Sequence, residues 1–298
     1  MKRRPPSPLP RWLAPMIVGC AWAAIAWAES RRPLRPRREP RGTHTGRNLS
    51  MAGMSAAATT LLQAVVLAPV AERTERERLG FLFALDLPAP MRRIAGVLLL
   101  DYTLWWWHWL NHRLPPLWRF HLVHHVDRDL DGSTGIRFHF GEMAMSVFFR
   151  AAQVRLLGVD RLSASIWQTL LLISIVFHHS NLRLAESTDR LLARWIVTPR
   201  MHGIHHSSYR DETDSNWSSL FSFWDAIHGT LRLDPPQDAI EIGVPAYQSP
   251  EDVTLSRIAA LPFVEQRDDW LDSEGTRRMT RATDDRALAA AAGPGDRR

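Results

Sequence analysis

Long apolar segments constrain the fold of this chain more than any other feature. Four of them are almost free of charged residues: 12–28, 51–71, 94–110 (where Asp101 is the exception) and 162–177. Each has about the 17–25 residues that a helix needs to cross a bilayer. A fifth segment, 143–158, is interrupted by Arg150 and Arg155 and predicts a short or interfacial helix. Thirteen tryptophans are typical of the aromatic belt at a membrane interface. We therefore expect an all-α, multi-pass membrane protein.

The charge pattern also indicates that the partner of this protein is a lipid membrane. The net charge is +6, and much of the arginine flanks the apolar segments, from Arg31 to Arg47 and from Arg73 to Arg93. Such arginine usually marks the cytoplasmic side and anionic lipid headgroups. Because no nucleic-acid recognition motif accompanies the charge, nucleic acid is not an expected partner. The single cysteine, Cys20, excludes intramolecular disulfides, cysteine-rich zinc sites and iron–sulfur clusters.

The N-terminus is similar to a signal peptide, with Lys2-Arg3-Arg4 before an apolar run that ends in Ala26-Trp27-Ala28. Cleavage would leave the arginine-rich loop 29–50 outside the cell, against the positive-inside tendency. We therefore predict an uncleaved helix with its N-terminus outside. The loop and the histidines are then on the cytoplasmic side, of the inner membrane if the cell is bacterial.

Eight of the thirteen histidines fall into three short groups. The groups are His108 with His112, then His121 with His124 and His125, and finally His202 with His205 and His206. Spacings of three and four residues place side chains on one helical face, so each group can direct its imidazoles at a common point. Imidazole is the commonest ligand for iron, zinc and copper, and this number suggests two ions. The isolated His44 is expected to be an ordinary hydrogen-bonded residue.

Local signals place these groups near helix ends. A helix over 94–112 carries the first group, and Pro115-Pro116 breaks the chain before the second. Thr198 and Pro199 form a helix start ahead of the third. The chain divides into an N-terminal helix and basic loop (1–47), a catalytic domain (48–235), a C-terminal extension (236–272) and a disordered tail (273–298).

The ligand type favours redox chemistry with dioxygen. Zinc would accept the same nitrogens but has no redox chemistry, and structural zinc usually needs only four ligands. A non-redox zinc-dependent membrane enzyme is one alternative, although the His-Glu-x-x-His motif is absent. A b-type haem electron carrier is another, but it would use only two histidines per haem. A metal transporter would carry ligands across its spans rather than at helix ends.

These residues resemble the fatty acid hydroxylase/sterol desaturase superfamily of membrane di-iron oxygenases. The similarity runs from about Asn48 to Thr230 and includes the pattern HxxxH, HxxHH, HxxHH. Flanking matches are Asp101-Tyr102, Leu117 to His121, Arg137 to Glu142, His179 to Asn181, Thr198 to His202, Trp224-Asp225 and Gly229-Thr230. Two positions depart from the family: Trp109 stands where arginine is common, and His228 where phenylalanine is common.

The resemblance implies a cytosol-facing helical cap that holds two iron ions on the eight grouped histidines and His179. Six further residues are candidates for an additional ligand or for supporting the ligands: His178, His139, His228, Asp101, Asn181 and Asp225. It also implies O2-dependent hydroxylation or desaturation of a lipid, such as a sterol or a fatty acyl chain. Since no cytochrome b5-like segment is fused to the chain, electrons are expected from a separate ferredoxin- or cytochrome b5-type donor.

Overall fold

The computed structural model describes residues 12–281, and within that range the chain is helical and contains no β-strand. The helices in chain order are α1 Leu13–Arg31, α2 Arg41–Leu62, α3 Ala68–Arg76, α4 Phe81–Ala84, α5 Ala89–Arg113, α6 Pro115–His125, α7 Phe140–Leu157, α8 Arg161–His179, α9 Glu186–Leu192, α10 Pro199–His205, α11 Arg210–Thr213, α12 Phe223–His228 and α13 Leu255–Ala260. A π-helical turn, Gln63–Leu67, joins α2 to α3. The predicted all-α class is confirmed.

Within residues 12–281, three stretches are long and apolar enough to cross a membrane: α1, the stretch Arg41–Ala84 that contains α2 to α4, and α8. Large apolar side chains on the first two are exposed, including Trp27 and Leu61, as expected of helices that face lipid. The predicted span 94–110 lies in α5, which is not one of the three. Its C-terminal turns carry the polar residues His108 and Asn111, and both are buried in the interior of the protein.

The long helices share two ends, and the histidines are at one of them. Near the end of α1, Glu29 accepts a hydrogen bond from the backbone N–H of Asn181, just beyond the end of α8. At the opposite end, Arg161 at the start of α8 pairs with Glu75 in α3. Thus α1 and α8 run toward the histidines, and α2 with α3 runs away from them. The loop between α1 and α2 therefore lies at the histidine end, and α1 begins at the other end.

Helix α2 begins ten residues earlier than the expected apolar segment, at Arg41 rather than at residue 51. The prediction of a surface loop through residue 50 is therefore wrong. The added turns bury His44 and Asn48 completely, and both side chains hydrogen-bond to the carboxylate of Asp127. These buried partners, which come from a distant part of the chain, stabilise helix where local composition indicated loop.

The C-terminal extension packs over α6, the helix that carries the second histidine group. Leu122 and Val123 of α6 share a buried apolar cluster with Tyr247 and Ile258 of the extension. The predicted disordered tail begins at residue 273. Its described part, 273–281, contacts the rest of the protein, and residues 282–298 lie outside the described residues. The extension thus encloses one side of the histidine site.

Candidate metal centre

Nine buried or nearly buried histidines form two adjoining groups at the ends of α5, α6, α8 and α10. In each group, every residue offers one ring nitrogen, and these nitrogens all lie within 4.8 Å of one another. The five-histidine group consists of His108, His112, His121, His125 and His205. The four-histidine group consists of His124, His179, His202 and His206. They are the same nine histidines that the sequence analysis named.

Neither HxxHH motif serves one group alone. In α6, His121 and His125 belong to the five-histidine group, whereas His124 belongs to the four-histidine group. The motif at α10 divides the opposite way: His205 belongs to the five-histidine group, whereas His202 and His206 belong to the four-histidine group. The expectation that each motif converges on a common point is therefore wrong for these two motifs. Residues four apart share a face of the helix, and the residue between them projects from an adjacent face toward the second group.

Backbone carbonyls and one carboxylate fix the orientation of five of the imidazoles. The Nδ1 atoms of His108, His205, His179 and His124 lie 2.7, 2.8, 2.8 and 3.3 Å from the carbonyl oxygens of Trp217, Ser215, Ile175 and Arg137. The Nδ1 atom of His121 lies 2.8 Å from Oε1 of Glu142. Since a carbonyl oxygen only accepts, Nδ1 carries the proton in the first four. In each, Nε2 is therefore left with a lone pair that is free to bind a metal ion.

The distances between ring nitrogens fit metal ligands. The Nε2 atoms of His124 and His179 are 3.0 Å apart, and those of His179 and His202 are 2.9 Å apart. In the first pair both Nδ1 atoms donate to carbonyls, so two lone pairs face each other and would repel without a cation. Two metal–nitrogen bonds of about 2.1 Å that meet near a right angle place their nitrogens about 3 Å apart. The residues present therefore fit a metal ion at this group.

Burial lowers the pKa of several of the grouped histidines, and metal binding requires the neutral ring. Removal from water, reinforced by the neighbouring imidazoles, lowers the pKa of His124, His125 and His206 well below its usual range. Burial lowers the pKa of His205 to about 3. Nε2 of His205 and both ring nitrogens of His206 are buried and have no hydrogen-bond partner among the described residues. Such orphaned nitrogens are rare unless a ligand satisfies them.

A buried ionic network supports the loop between α6 and α7. Asp127 is fully buried, lies 2.9 Å from Nε2 of His44 and accepts a hydrogen bond of 3.1 Å from Nη1 of Arg137. These cations keep the pKa of Asp127 far below its usual range despite its burial. His44 is hydrogen-bonded and lies outside both groups, as expected. Because the carbonyl of Arg137 accepts from His124, the network also supports one ligand of the four-histidine group.

The three remaining histidine candidates lie outside both groups. His178 is buried beside His202, with 4.2 Å between ring centroids. His139 caps α7 through Nδ1, which accepts from the backbone N–H of Gly141, and its Nε2 lies 3.2 Å from the carbonyl oxygen of Ala259. His228 stacks on Trp105 with 4.1 Å between ring centroids.

The three polar candidates also lie outside the groups, and each makes hydrogen bonds to other parts of the fold. Asp101 accepts from the backbone N–H of Phe221 and from the indole of Trp224. The side-chain amide of Asn181 bonds to both backbone groups of Arg35, which joins the α1–α2 loop to the end of α8. Asp225 accepts four hydrogen bonds around the loop that includes Trp217.

Sequence reasoning missed the carbonyl partners of the ligand histidines. Any residue type supplies a carbonyl, so Ser215 and Trp217 carried no signal for this role. Asn216 between them has a positive φ of 55°, which asparagine tolerates better than most residues. Its side-chain amide donates to the carbonyl of Met201. An asparagine in the polar loop after the third motif was the one available indication that the backbone adopts an unusual conformation there.

The comparison with known proteins is consistent with this geometry. Residues 93–230 match the model of the fatty acid hydroxylase family, a range that contains all nine grouped histidines. This part of the chain is therefore similar to a fatty acid hydroxylase domain. The resemblance stated from the motifs is thereby confirmed. No solved structure is significantly similar to the chain.

Curated relatives of the chain are lipid hydroxylases and monooxygenases. It is 29% identical over 159 residues to the ornithine lipid hydroxylase OlsE of Rhizobium tropici, covering 53% of this chain and 46% of the relative. It is 32% identical over 138 residues to human cholesterol 25-hydroxylase, covering 46% and 49%. With human alkylglycerol monooxygenase it shares 24% identity over 153 residues, covering 51% and 33%. The matched region thus spans about half or less of each relative.

Proposed function

We propose that this protein is a membrane-bound di-iron oxygenase that hydroxylates or desaturates a C–H bond of a lipid. Two adjoining all-histidine groups at the end of a bundle with lipid-exposed helices carry this proposal. Such groups bind two ions side by side, and iron there would supply the redox chemistry that activates O2. Hydroxylation consumes one O2, two electrons and two protons, and yields the alcohol and one water.

We assign the nine grouped histidines as the ligands, five to one ion and four to the other. Imidazole ligands carry no negative charge, so they would leave the charge of the two ions uncompensated. The carbonyls of Ser215, Trp217, Ile175 and Arg137, together with Glu142, hold the rings in place. Because the ligands are buried, bulk water has little access to the place where the lipid C–H bond would react.

The positions of the helix ends support a membrane arrangement with the histidine groups at the cytoplasmic face. The arginine-rich loop between α1 and α2 lies at the histidine end, where its charge favours the cytoplasmic face and anionic headgroups. A separate ferredoxin- or cytochrome b5-type protein would deliver electrons from that face. The start of α1 is then outside. Reporter fusions at residue 1 should be active only as a periplasmic or extracellular reporter, and a cytoplasmic signal would contradict this arrangement.

The decisive experiment measures metal and product together. The protein, purified without a metal-affinity tag and supplied with an electron donor, is incubated under 18O2 with an ornithine lipid, a sterol and an alkylglycerol. We expect about two irons per chain and one product, labelled with 18O if it is an alcohol. His124→Ala and His205→Ala should abolish product while the protein remains in the membrane. His228→Ala, outside both groups, is the matched control. Zinc without iron, or product formation by both ligand variants, would refute the proposal.

A further inference from the structure

One loop orients ligands from two different helices. The carbonyl of Ser215 accepts the Nδ1 hydrogen of His205 in α10, at 2.8 Å. Two residues later, the carbonyl of Trp217 accepts the Nδ1 hydrogen of His108 in α5, at 2.7 Å. Both histidines belong to the five-histidine group. The backbone of this loop therefore sets the tautomer and the ring direction of two of the five proposed ligands.

A single carboxylate holds that backbone in place. Asp225 is fully buried, and its Oδ1 accepts from the backbone N–H of Trp217, the indole of Trp105 and the hydroxyl of Thr230, at 2.8, 2.9 and 2.7 Å. Its Oδ2 accepts from the backbone N–H of Ser218 at 2.9 Å. Hydrogen bonds to an ionised acceptor are stronger than those between neutral groups. The peptide group that joins Trp217 to Ser218 carries the carbonyl that orients His108, and its N–H donates directly to Asp225.

We infer that Asp225 is a positioning residue for the five-histidine centre. It does not reach a metal ion itself, because it lies outside both histidine groups and its two oxygens are occupied by four donors. It acts by fixing the loop 215–218, which in turn aims Nε2 of His108 and His205 at a common ion. The inference rests on the proposed function only in that the two groups hold metal ions; it requires neither a particular lipid nor turnover.

The charge and the acceptor capacity of Asp225 are both needed for this role. In Asp225→Asn one oxygen becomes an NH2 group, which donates and cannot accept. If the NH2 replaces Oδ2, it opposes the N–H of Ser218; if it replaces Oδ1, it opposes the N–H of Trp217 and the indole of Trp105. In either orientation a buried backbone N–H of the loop loses its partner, and the loop must shift.

Asp101 offers a matched control on the same part of the fold. It is also a buried carboxylate, and it accepts from the backbone N–H of Phe221 and the indole of Trp224 at 3.1 and 2.8 Å. No ligand histidine hydrogen-bonds to that segment. Asp101→Asn therefore perturbs packing between α5 and α12 in a similar way without affecting a metal-orienting carbonyl.

The test compares metal binding by the full-length protein in detergent, using Co2+ as a spectroscopic probe alongside iron. We expect Asp225→Asn to weaken one of the two sites about 10- to 100-fold, the usual effect of losing a group that supports a ligand. Asp101→Asn should keep both sites. The remaining Co2+ spectrum of Asp225→Asn should match that of His112→Ala, which loses the five-histidine centre, and differ from that of His202→Ala.

Two unchanged affinities in Asp225→Asn would overturn the inference, and so would equal metal loss in both aspartate variants. If Asp225→Asn does not fold, Thr230→Val removes one donor to the same oxygen, and it should weaken the same site to a smaller degree. Unchanged binding by a folded Thr230→Val, in that case, would also overturn it. A wild-type protein that binds two ions but oxidises no lipid would refute the proposed function and leave this inference intact.

Discussion

Gly135 lies against the hydrogen bond that orients one ligand of the four-histidine group, so adding a single methyl there tests the ligand geometry. A Cβ at position 135 would be 2.9 Å from Cγ2 of Ile175, 3.0 Å from its carbonyl oxygen and 3.2 Å from Nδ1 of His179. That carbonyl accepts the Nδ1 hydrogen of His179 at 2.8 Å. Carbon atoms in favourable contact are about 3.5–4.0 Å apart, so the loop or α8 must move by roughly half an ångström.

The displacement has two measurable costs. Overpacking of this kind typically lowers the free energy of unfolding by about 1–3 kcal/mol. Loss of the Ile175 hydrogen bond should weaken metal binding at the four-histidine centre about 10- to 100-fold, which corresponds to about 1.4–2.8 kcal/mol of binding free energy. The five-histidine centre should keep its affinity, since the three atoms nearest to a Cβ at position 135 belong to Ile175 and His179, which are not members of that group.

The assay counts tightly bound ions per chain while a chelator competes for them. Gly135→Ala should retain one ion under conditions in which the wild type retains two. Gly96→Ala is the matched control, because its Cβ would be 3.4 Å from the nearest atom, Cβ of Ser163, an ordinary contact between two long helices. If Gly135→Ala retains both ions with wild-type affinities, the Ile175 carbonyl does not determine the orientation of His179, and the reasoning is refuted.

Three more predictions follow from groups buried in the cap. Asp127→Asn should lower the free energy of unfolding by about 3–5 kcal/mol, because it leaves the buried cation of Arg137 without its partner; denaturation compared with the exposed Glu77→Gln checks this, and equal stability of the two would contradict it. Glu142→Gln should lower metal affinity at the five-histidine centre about 10- to 100-fold, as measured by metal titration; wild-type affinity would exclude a role for the charge. Burial lowers the pKa of His205 to about 3, against about 6.5 in the unfolded chain, so the unfolded state binds more protons between these values. The metal-free protein should therefore lose thermal stability as the pH falls from about 6.5 toward 3, and a melting temperature independent of pH over that window would contradict this.

Local spacing identified most of the helices and eight of the nine grouped histidines, whereas His179 was named from the resemblance to the family. The Pro115-Pro116 break and the Thr198 cap appear as expected: α5 ends at Arg113, and the hydroxyl of Thr198 accepts from the backbone N–H of Met201. The division of each HxxHH motif between two groups was not predicted. It depends on how α6 and α10 face each other across the site, and spacing within one helix contains no information about that.

Long-range burial accounts for the remaining errors. The extra turns of α2 are stabilised by Asp127, more than eighty residues away in the chain from His44, and neither residue signals this pairing by its neighbours. The same holds for the role of Asp225, whose effect on the ligands passes through backbone carbonyls. Such features become visible only when distant segments are brought together, since polar groups that are buried must find partners wherever the fold provides them.

The sharing of each HxxHH motif between two groups has a consequence for how the protein acquires its ions. Either ion alone would hold α6 against α10, and it would thereby also position the ring nitrogens that bind the other ion. The conformational entropy that the second ion must overcome would then be partly removed by the first, although each group keeps its own histidines and can hold an ion when the other group is damaged. Maturation of the wild-type protein would thus favour the doubly loaded form over the singly loaded one, more than two independent sites would.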